Sequence, residues 1–256
     1  MKVLIVGGGV GGLALGAFLS ESNVDFEIVE KATDWSHQGF VIGLWDNGRD
    51  ILRKLGLAEK FDSLGSRVNL YSVRDGQGRV LRNFNLRSFY SEFGGAVTII
   101  GRKELHELLI SKVSPSKIRL GCSIASLVEH EKGVHVVFSD GRSEHFDVVV
   151  GADGVHSQVR SLTFGDHIES YTDWRAWYAW IDNSFDVPGA IVEYIEPRQF
   201  VITFSAKKKT LACLIAPRDH AVWDDEKGRV ARLMELFKSE KKIIPTALEH
   251  SERFRP

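Results

Sequence analysis

Val3-Leu4-Ile5-Val6-Gly7-Gly8-Gly9-Val10-Gly11-Gly12-Leu13-Ala14-Leu15, with the run Phe26-Glu27-Ile28-Val29-Glu30 that follows, decides how this chain folds. Val3 to Val6 is short, apolar and rich in β-branched residues, the pattern of a strand buried on both faces of a parallel sheet. Gly7, Gly9 and Gly12 fit G-x-G-x-x-G between that strand and Leu13 to Ser20, whose apolar residues fall at helical spacing. Gly7 permits a tight turn. Gly9 lets the backbone approach a pyrophosphate where a Cβ would collide, and Gly12 lets the helix pack closely on the strand. Gly11 belongs to the same loop, from which the helix start presents free N–H groups and positive partial charge to phosphates. Phe26 to Val29 repeats the buried-strand pattern and ends in Glu30. A carboxylate there accepts hydrogen bonds from both hydroxyls of a ribose and repels a 2′-phosphate. The unit from Val3 to Glu30 is therefore predicted to hold FAD or NAD rather than NADP.

Further along, Asp46 to Leu55 reads as a helix with Ile51, Leu52 and Leu55 on one face. Val68 to Val73 and Val80 to Leu86 read as a hairpin around Asp75-Gly76-Gln77-Gly78. Lys103 to Val113 is a second helix, Ile124 to Glu129 and Val134 to Ser139 are strands, and Asp147 to Val150 is a third buried run ending in Gly151-Ala152-Asp153-Gly154. From about Trp174 the pattern changes. Ala190 to Ile195, Phe200 to Ala206 and Leu211 to Ala216 alternate as an antiparallel sheet does, and Trp223 to Lys238 reads as an amphipathic helix with Val230, Leu233, Met234 and Phe237 inward. The expected architecture is α/β. A Rossmann-like domain spans residues 1–165, with β elements inserted at about 67–100, and a β-rich region and helix span 166–256.

The bulk numbers exclude several classes. The 256 residues carry 33 basic and 34 acidic side chains, so no nucleic-acid footprint or acidic tail is indicated. Cys122 and Cys213 stand far apart outside any metal-ligand spacing, which argues against a disulfide framework and reads as two buried thiols in a reducing compartment. No run of 18 apolar residues predicts a membrane span, and the opening apolar run is too short for a secretory leader. A cytoplasmic protein with no resident metal is expected.

Three features resemble the para-hydroxybenzoate hydroxylase-like family of FAD-dependent monooxygenases. They are residues 6–15 with Val29-Glu30-Lys31, then Gly101-Arg102 followed by Leu105 and Leu109, and then residues 149–160. These last read Val-Val-Gly-Ala-Asp-Gly-Val-His-Ser-Gln-Val-Arg, similar to the family's Asp-Gly motif almost residue for residue. The resemblance turns the dinucleotide into FAD. A cation at a helix start opposes the macrodipole, and an anionic flavin pyrophosphate would remove that cost at Arg102, whose bland alternative is a solvated surface residue. Asp153 ends a buried strand, where ligand crevices open; otherwise it is an Asp-Gly turn. Arg160 pairs with Asp153 or Glu30 or meets the cofactor. Gly39-Phe40-Val41-Ile42-Gly43 resembles the loop whose backbone, at Gly39 and Val41, passes the flavin. Ile124 resembles a position whose backbone meets the adenine. Loop or core packing explains both segments nearly as well.

The resemblance implies an oxidoreductase that uses NAD(P)H and O2 to hydroxylate a small organic, often aromatic, substrate. FAD carries the hard step, and the protein shields and positions. Trp174, Trp177, Tyr178, Trp180 and Tyr194 would line the substrate region or simply pack the sheet, and no catalytic side chain is singled out. His106 reads as a surface or satisfied histidine. The family's third FAD motif, a Gly-Asp segment after another buried strand, is expected beyond Pro256, so the chain reads as the front of the family's length. The alternatives are a reductase or dehydrogenase similar to geranylgeranyl reductases, and a non-catalytic flavin-binding fragment.

Overall fold

The computed structural model describes residues 1–35, 40–93, 95–165, 170–182, 189–207, 209–218 and 225–238. The chain divides into two compact units. One comprises Met1–Gly39, Ile51–Lys60 and Arg102–Glu169, and the other Phe40–Asp50, Phe61–Gly101 and Ser170–Pro256.

The first unit is built on a parallel sheet in which strand Lys2–Val6 lies between Val148–Gly151 and Asp25–Glu30, with Ile118–Leu120 beyond the latter. Its apolar runs are explained by burial on both faces. Leu4, Val6 and Val29 pack with Ile124, Val136, Phe138 and Phe146 of an antiparallel three-stranded sheet, formed by Ile124–His130, Gly133–Phe138 and Ser143–Phe146. On the opposite face lies helix Val10–Glu21, which buries Gly12, Leu13, Gly16 and Ala17. Small residues bring it close: a Cβ on Gly16 would stand 2.7 Å from Ile28 Cδ1. Helix Arg102–Ile110 packs beside it. Among the described residues, no helix is long and apolar enough to cross a membrane, and no cluster of His, Cys, Asp or Glu could hold a metal ion.

The second unit contains a six-stranded sheet. Its spatial order is Trp174–Asp182, Lys209–Pro217, Gln199–Ser205, Ala190–Glu196, Leu70–Asp75, Val80–Asn85. Neighbours are antiparallel except Ala190–Glu196 and Leu70–Asp75, which run parallel, Tyr71 opposite Ile191. The hairpin expected as an insertion in the first domain thus joins the sheet formed by the C-terminal strands. A small sheet orders Val41–Leu44, Thr98–Gly101 and Ser66–Arg67.

Several sequence expectations need correction. The last helix is Arg229–Leu236 rather than Trp223 to Lys238, and Trp223 lies outside the described residues. Leu233 and Phe237 are buried as expected, but Val230 and Met234 are 42% and 52% exposed. The shorter helix turns its buried side to Arg229 and Leu233, one turn apart. In helix Asp46–Lys54, Leu52 is buried whereas Ile51 is 37% exposed.

Alternation along the six-stranded sheet sorts the five aromatics that sequence placed together. Trp177 and Tyr194 point into the core that includes Leu233 and Phe237. Trp177 meets Phe237 edge to face, with centroids 6.4 Å apart. Trp174, Tyr178 and Trp180 take the opposite face, where Trp180 and Tyr178 stay half-buried. This second, open face is covered at strand Lys209–Pro217, where Leu211 and Cys213 are buried, and at Tyr178, which stacks on Phe40.

Candidate functional site

The C-terminal ends of strands Lys2–Val6, Asp25–Glu30 and Val148–Gly151 converge on a cavity of about 250 Å³. Its lining includes Gly7, Gly9, Glu30, Lys31, Arg102 and Asp153, residues singled out from widely separated segments of the sequence. A crevice beyond the carboxyl ends of parallel strands is where an α/β sheet offers backbone groups and helix termini to a ligand.

Each glycine of the loop has its own task. Gly7 has φ +109°, its N–H donates to the Val29 carbonyl at 2.8 Å, and a Cβ on it would overlap the Ala152 carbonyl. Gly12 is buried, and a Cβ there would overlap the Gly7 carbonyl oxygen. Gly9 differs. It has φ −73°, open to any residue, and its Cβ would meet nothing within 4 Å although Gly9 lines the cavity. Gly11 is exposed in the first helical turn. Helix Val10–Glu21 has no acidic residue in its first turn and no side-chain cap, so its first amides and their positive partial charge are left for a ligand.

The two acids are already partly engaged. Glu30 Oε2 accepts from the Gly8 N–H at 2.7 Å and Oε1 from the Ala32 N–H at 2.9 Å. Each oxygen keeps a second lone pair for a hydroxyl. Asp153 Oδ1 accepts from the Ser157 hydroxyl at 2.6 Å, and Oδ2 from the N–H groups of Gln158 and Val159 at 2.7 and 3.2 Å. Its carboxylate therefore fixes the start of helix Gln158–Phe164 while standing at the cavity wall. Arg160 reaches neither acid; its guanidinium donates to the Val155 carbonyl at 2.6 Å. Arg102 is the first residue of helix Arg102–Ile110, where Glu104 in the first turn offsets its unfavourable place. Among the described residues, no carboxylate pairs with Arg102.

Other expectations shift. Ile124 is 1% exposed and belongs to the core, because the first residue of strand Ile124–His130 turns its side chain between the sheets. The cavity is lined instead by its predecessors Cys122 and Ser123. Burial pushes the Cys122 thiol above its ordinary range, so it stays protonated. Val41 begins the small sheet of the second unit, paired with Gly101. Gly39 lies outside the described residues. His156 and Gln158, part of the quoted motif but not chosen, also line the cavity.

The loop has a brace that the sequence did not reveal. His106 is 3% exposed, and its Nε2–H donates to the Gly8 carbonyl at 2.9 Å. Trp35 packs against the imidazole, ring centroids 4.6 Å apart, and would block a Cβ on Gly8. Gly8 is thus gripped at its N–H by Glu30 and at its C=O by His106. Burial, reinforced by the Arg102 charge and opposed by the Gly8 bond, pushes His106 below the ordinary imidazole range. The unfolded chain then binds more protons than the folded one in the window below about pH 6.5. The resulting stability is complete above that pH and is lost as pH falls through the depressed folded value. His106→Gln keeps a donor without a titrating group, so the stability gap between wild type and variant should shrink on going from pH 7 to pH 5. Parallel urea-denaturation midpoints across that range would contradict it.

Comparison with known proteins adds to this geometry. A family model described as an FAD binding domain matches residues 1–234. The FAD-dependent monooxygenase prhF of Penicillium brasilianum is 37% identical over 163 residues, 63% of this chain and 34% of that protein. The 3-amino-4-hydroxybenzoate 2-monooxygenase PtnB3 of Streptomyces platensis is 29% identical over 231 residues, 88% of this chain and 58% of that protein. The chain thus spans about a third to somewhat over half the length of these relatives. The crystal structure of Klebsiella pneumoniae HpxO complexed with FAD and uric acid superposes with a TM-score of 0.87 at 21% identity, covering 98% of this chain and 67% of that one. At that identity the likeness shows the fold.

Proposed function

The chain belongs to the FAD-binding-domain family whose model it matches over residues 1–234, and on that premise we propose that it serves an FAD-dependent monooxygenase. The reaction would consume NAD(P)H and O2 and hydroxylate a small organic, aromatic substrate. It balances as substrate C–H, O2, NAD(P)H and a proton giving C–OH, water and NAD(P)+. The observation that carries the reading is the cavity wall, where Gly9 leaves room beside an uncapped helix start and Glu30, Arg102 and Asp153 converge.

The residues present fit FAD. The open space at Gly9, the amides of Val10, Gly11 and Gly12, and the Arg102 cation suit a pyrophosphate. The remaining lone pairs of Glu30, beside Lys31, suit a ribose. Ile124 remains the proposed backbone contact to the adenine, with Cys122 and Ser123 lining the cavity just before it. Val41 and Gly39 remain the proposed backbone contacts to the flavin. When bound, FAD supplies the redox chemistry, taking reducing equivalents from NAD(P)H and activating O2. The chain's own work is to hold that cofactor and place the substrate. On the open face Tyr178 already stacks on Phe40, centroids 4.9 Å apart, and the half-buried Trp180 is proposed as the surface for an aromatic ring.

The test is to purify the protein with excess FAD, record the flavin spectrum, and follow NAD(P)H oxidation and incorporation of labelled O2 into an aromatic product. Substrate-dependent incorporation is the expected result. Turnover without label would replace this reading with a reductase or dehydrogenase similar to geranylgeranyl reductases. Failure to retain any flavin would leave a non-catalytic fragment.

A further inference from the structure

One charge interrupts the open face near its middle. Glu193 stands on strand Ala190–Glu196, and its neighbours along the strand and directly across from it on that face are apolar. Val73 and Ile202 lie directly across on the two neighbouring strands, and Ile191 and Ile195 lie along its own. Other charges on this face stand at its margins. Asp75, diagonal to Glu193 at the strand end, is bound by Arg79, Arg82 lies over the Phe84 ring on the edge strand, and Lys209 begins a strand two away from that of Glu193. Among the described residues, no cation pairs with Glu193.

A carboxylate on a half-buried apolar surface is costly unless something neutralises or solvates it. Here one oxygen is satisfied. The Tyr71 hydroxyl donates to Glu193 Oε2, across 122 residues of sequence. Burial, then the bond to Glu193, pushes the Tyr71 hydroxyl up to about 12, so it remains a donor at any working pH. The Tyr71 ring is itself packed against Phe84, centroids 6.0 Å apart. Tyr71 thereby fixes the carboxylate in one orientation and leaves Oε1, which no described donor reaches, as an oriented acceptor amid aliphatic and aromatic surface.

We propose that Glu193, oriented by Tyr71, is a specificity-determining residue of the open face, accepting a hydrogen bond from an amino group on an aromatic ligand and rejecting rings that present a carboxylate. The proposal rests on the placement of substrate on this face under the proposed function. An apolar surface holds the ring through area and stacking, which is indifferent to charge. A single oriented carboxylate then supplies the discrimination. It gains a charge-assisted hydrogen bond with a cation and meets repulsion from an anion.

The experiment uses three probes that share a phenol ring and differ in the charge of the side arm at pH 7: tyramine, 4-ethylphenol and 3-(4-hydroxyphenyl)propionate. Binding to the full chain is read by tryptophan fluorescence, excited where the phenols do not absorb, and checked by ligand-detected NMR. Neither readout needs flavin turnover. Wild type should bind tyramine about tenfold or more tighter than the propionate, the discrimination expected from one charge-assisted bond. Glu193→Gln should bring the ratio to within about twofold. Tyr71→Phe, which keeps the charge but frees the carboxylate, should lower the ratio without abolishing the cation preference. An unchanged ratio in Glu193→Gln would overturn the proposal, as would loss of preference in Tyr71→Phe alone. Equal binding of all three probes by wild type would refute the role of Glu193 and leave the open face as a ring-binding surface. Binding of none would remove that surface, and the proposal with it.

Discussion

Gly9→Val is expected to yield a folded protein that retains no FAD. Gly9 has backbone angles any residue adopts, and a Cβ there meets no protein atom within 4 Å. The substitution removes a residue moderately favoured at the helix N-cap, which costs about 1 kcal/mol or less. Everything else it does falls on the ligand. An isopropyl group at the mouth of the helix would occupy the space proposed for the pyrophosphate, and the loop cannot retreat because Gly8 is held at both its N–H and its C=O. Affinity for FAD should fall by more than about a hundredfold, on the order of 3 kcal/mol. The check is the flavin-to-protein absorbance ratio after gel filtration, alongside the thermal midpoint of the apoprotein. Stoichiometric flavin in a folded Gly9→Val protein would remove the phosphates from this cavity.

Gly12→Val, three residues away, should do the reverse and act on the fold itself. Its Cβ would overlap the carbonyl oxygen of Gly7, and the nearest side chain, Ile5, leaves no slack at 3.3 Å. Overpacking against a flexible side chain costs about 1–3 kcal/mol. Here the obstacle is backbone, itself fixed by the bond from Gly7 N–H to the Val29 carbonyl. A loss of at least about 3 kcal/mol is expected, which in a chain of this size lowers the thermal midpoint by roughly 6–12 °C. A midpoint within about 2 °C of wild type would show that helix Val10–Glu21 does not need its close approach. The two variants together separate a glycine kept for a ligand from one kept for packing.

The parts legible in the sequence were those whose cause is local. Val3 to Glu30 carries its strand, turn, helix and strand in contiguous residues, each pattern read from its neighbours. The hairpin around Asp75 to Gly78 was equally local and is present as Leu70–Asp75 and Val80–Asn85. Its sheet was not legible, because the parallel partner Ala190–Glu196 lies far along the chain and nothing in either segment names the other. The five aromatics read together from sequence are split by strand alternation, which turns Trp177 and Tyr178 to opposite faces. Only the position of helix Arg229–Leu236 decides which face is core. His106 was read as satisfied or on the surface, yet its role as a brace depends on meeting Gly8, 98 residues away. The Ile124 side chain turns into the core, and the cavity is lined from the turn before it, at Cys122 and Ser123.

The parallel pairings have a consequence for the order in which the protein can form. Lys2–Val6 needs Val148–Gly151 as one of its two neighbours, and Leu70–Asp75 needs Ala190–Glu196. During synthesis, the first strand of each sheet leaves the ribosome well over a hundred residues before its partner. Non-local closure of this kind is slow, because the entropy of a long loop must be lost before any pairing repays it. Until then, the apolar strand Lys2–Val6 and the hairpin edge are exposed to other chains, a state prone to aggregation and attractive to chaperones. The parallel sheet of the first unit can be completed only after residue 151 has emerged, and the six-stranded sheet only after residue 217.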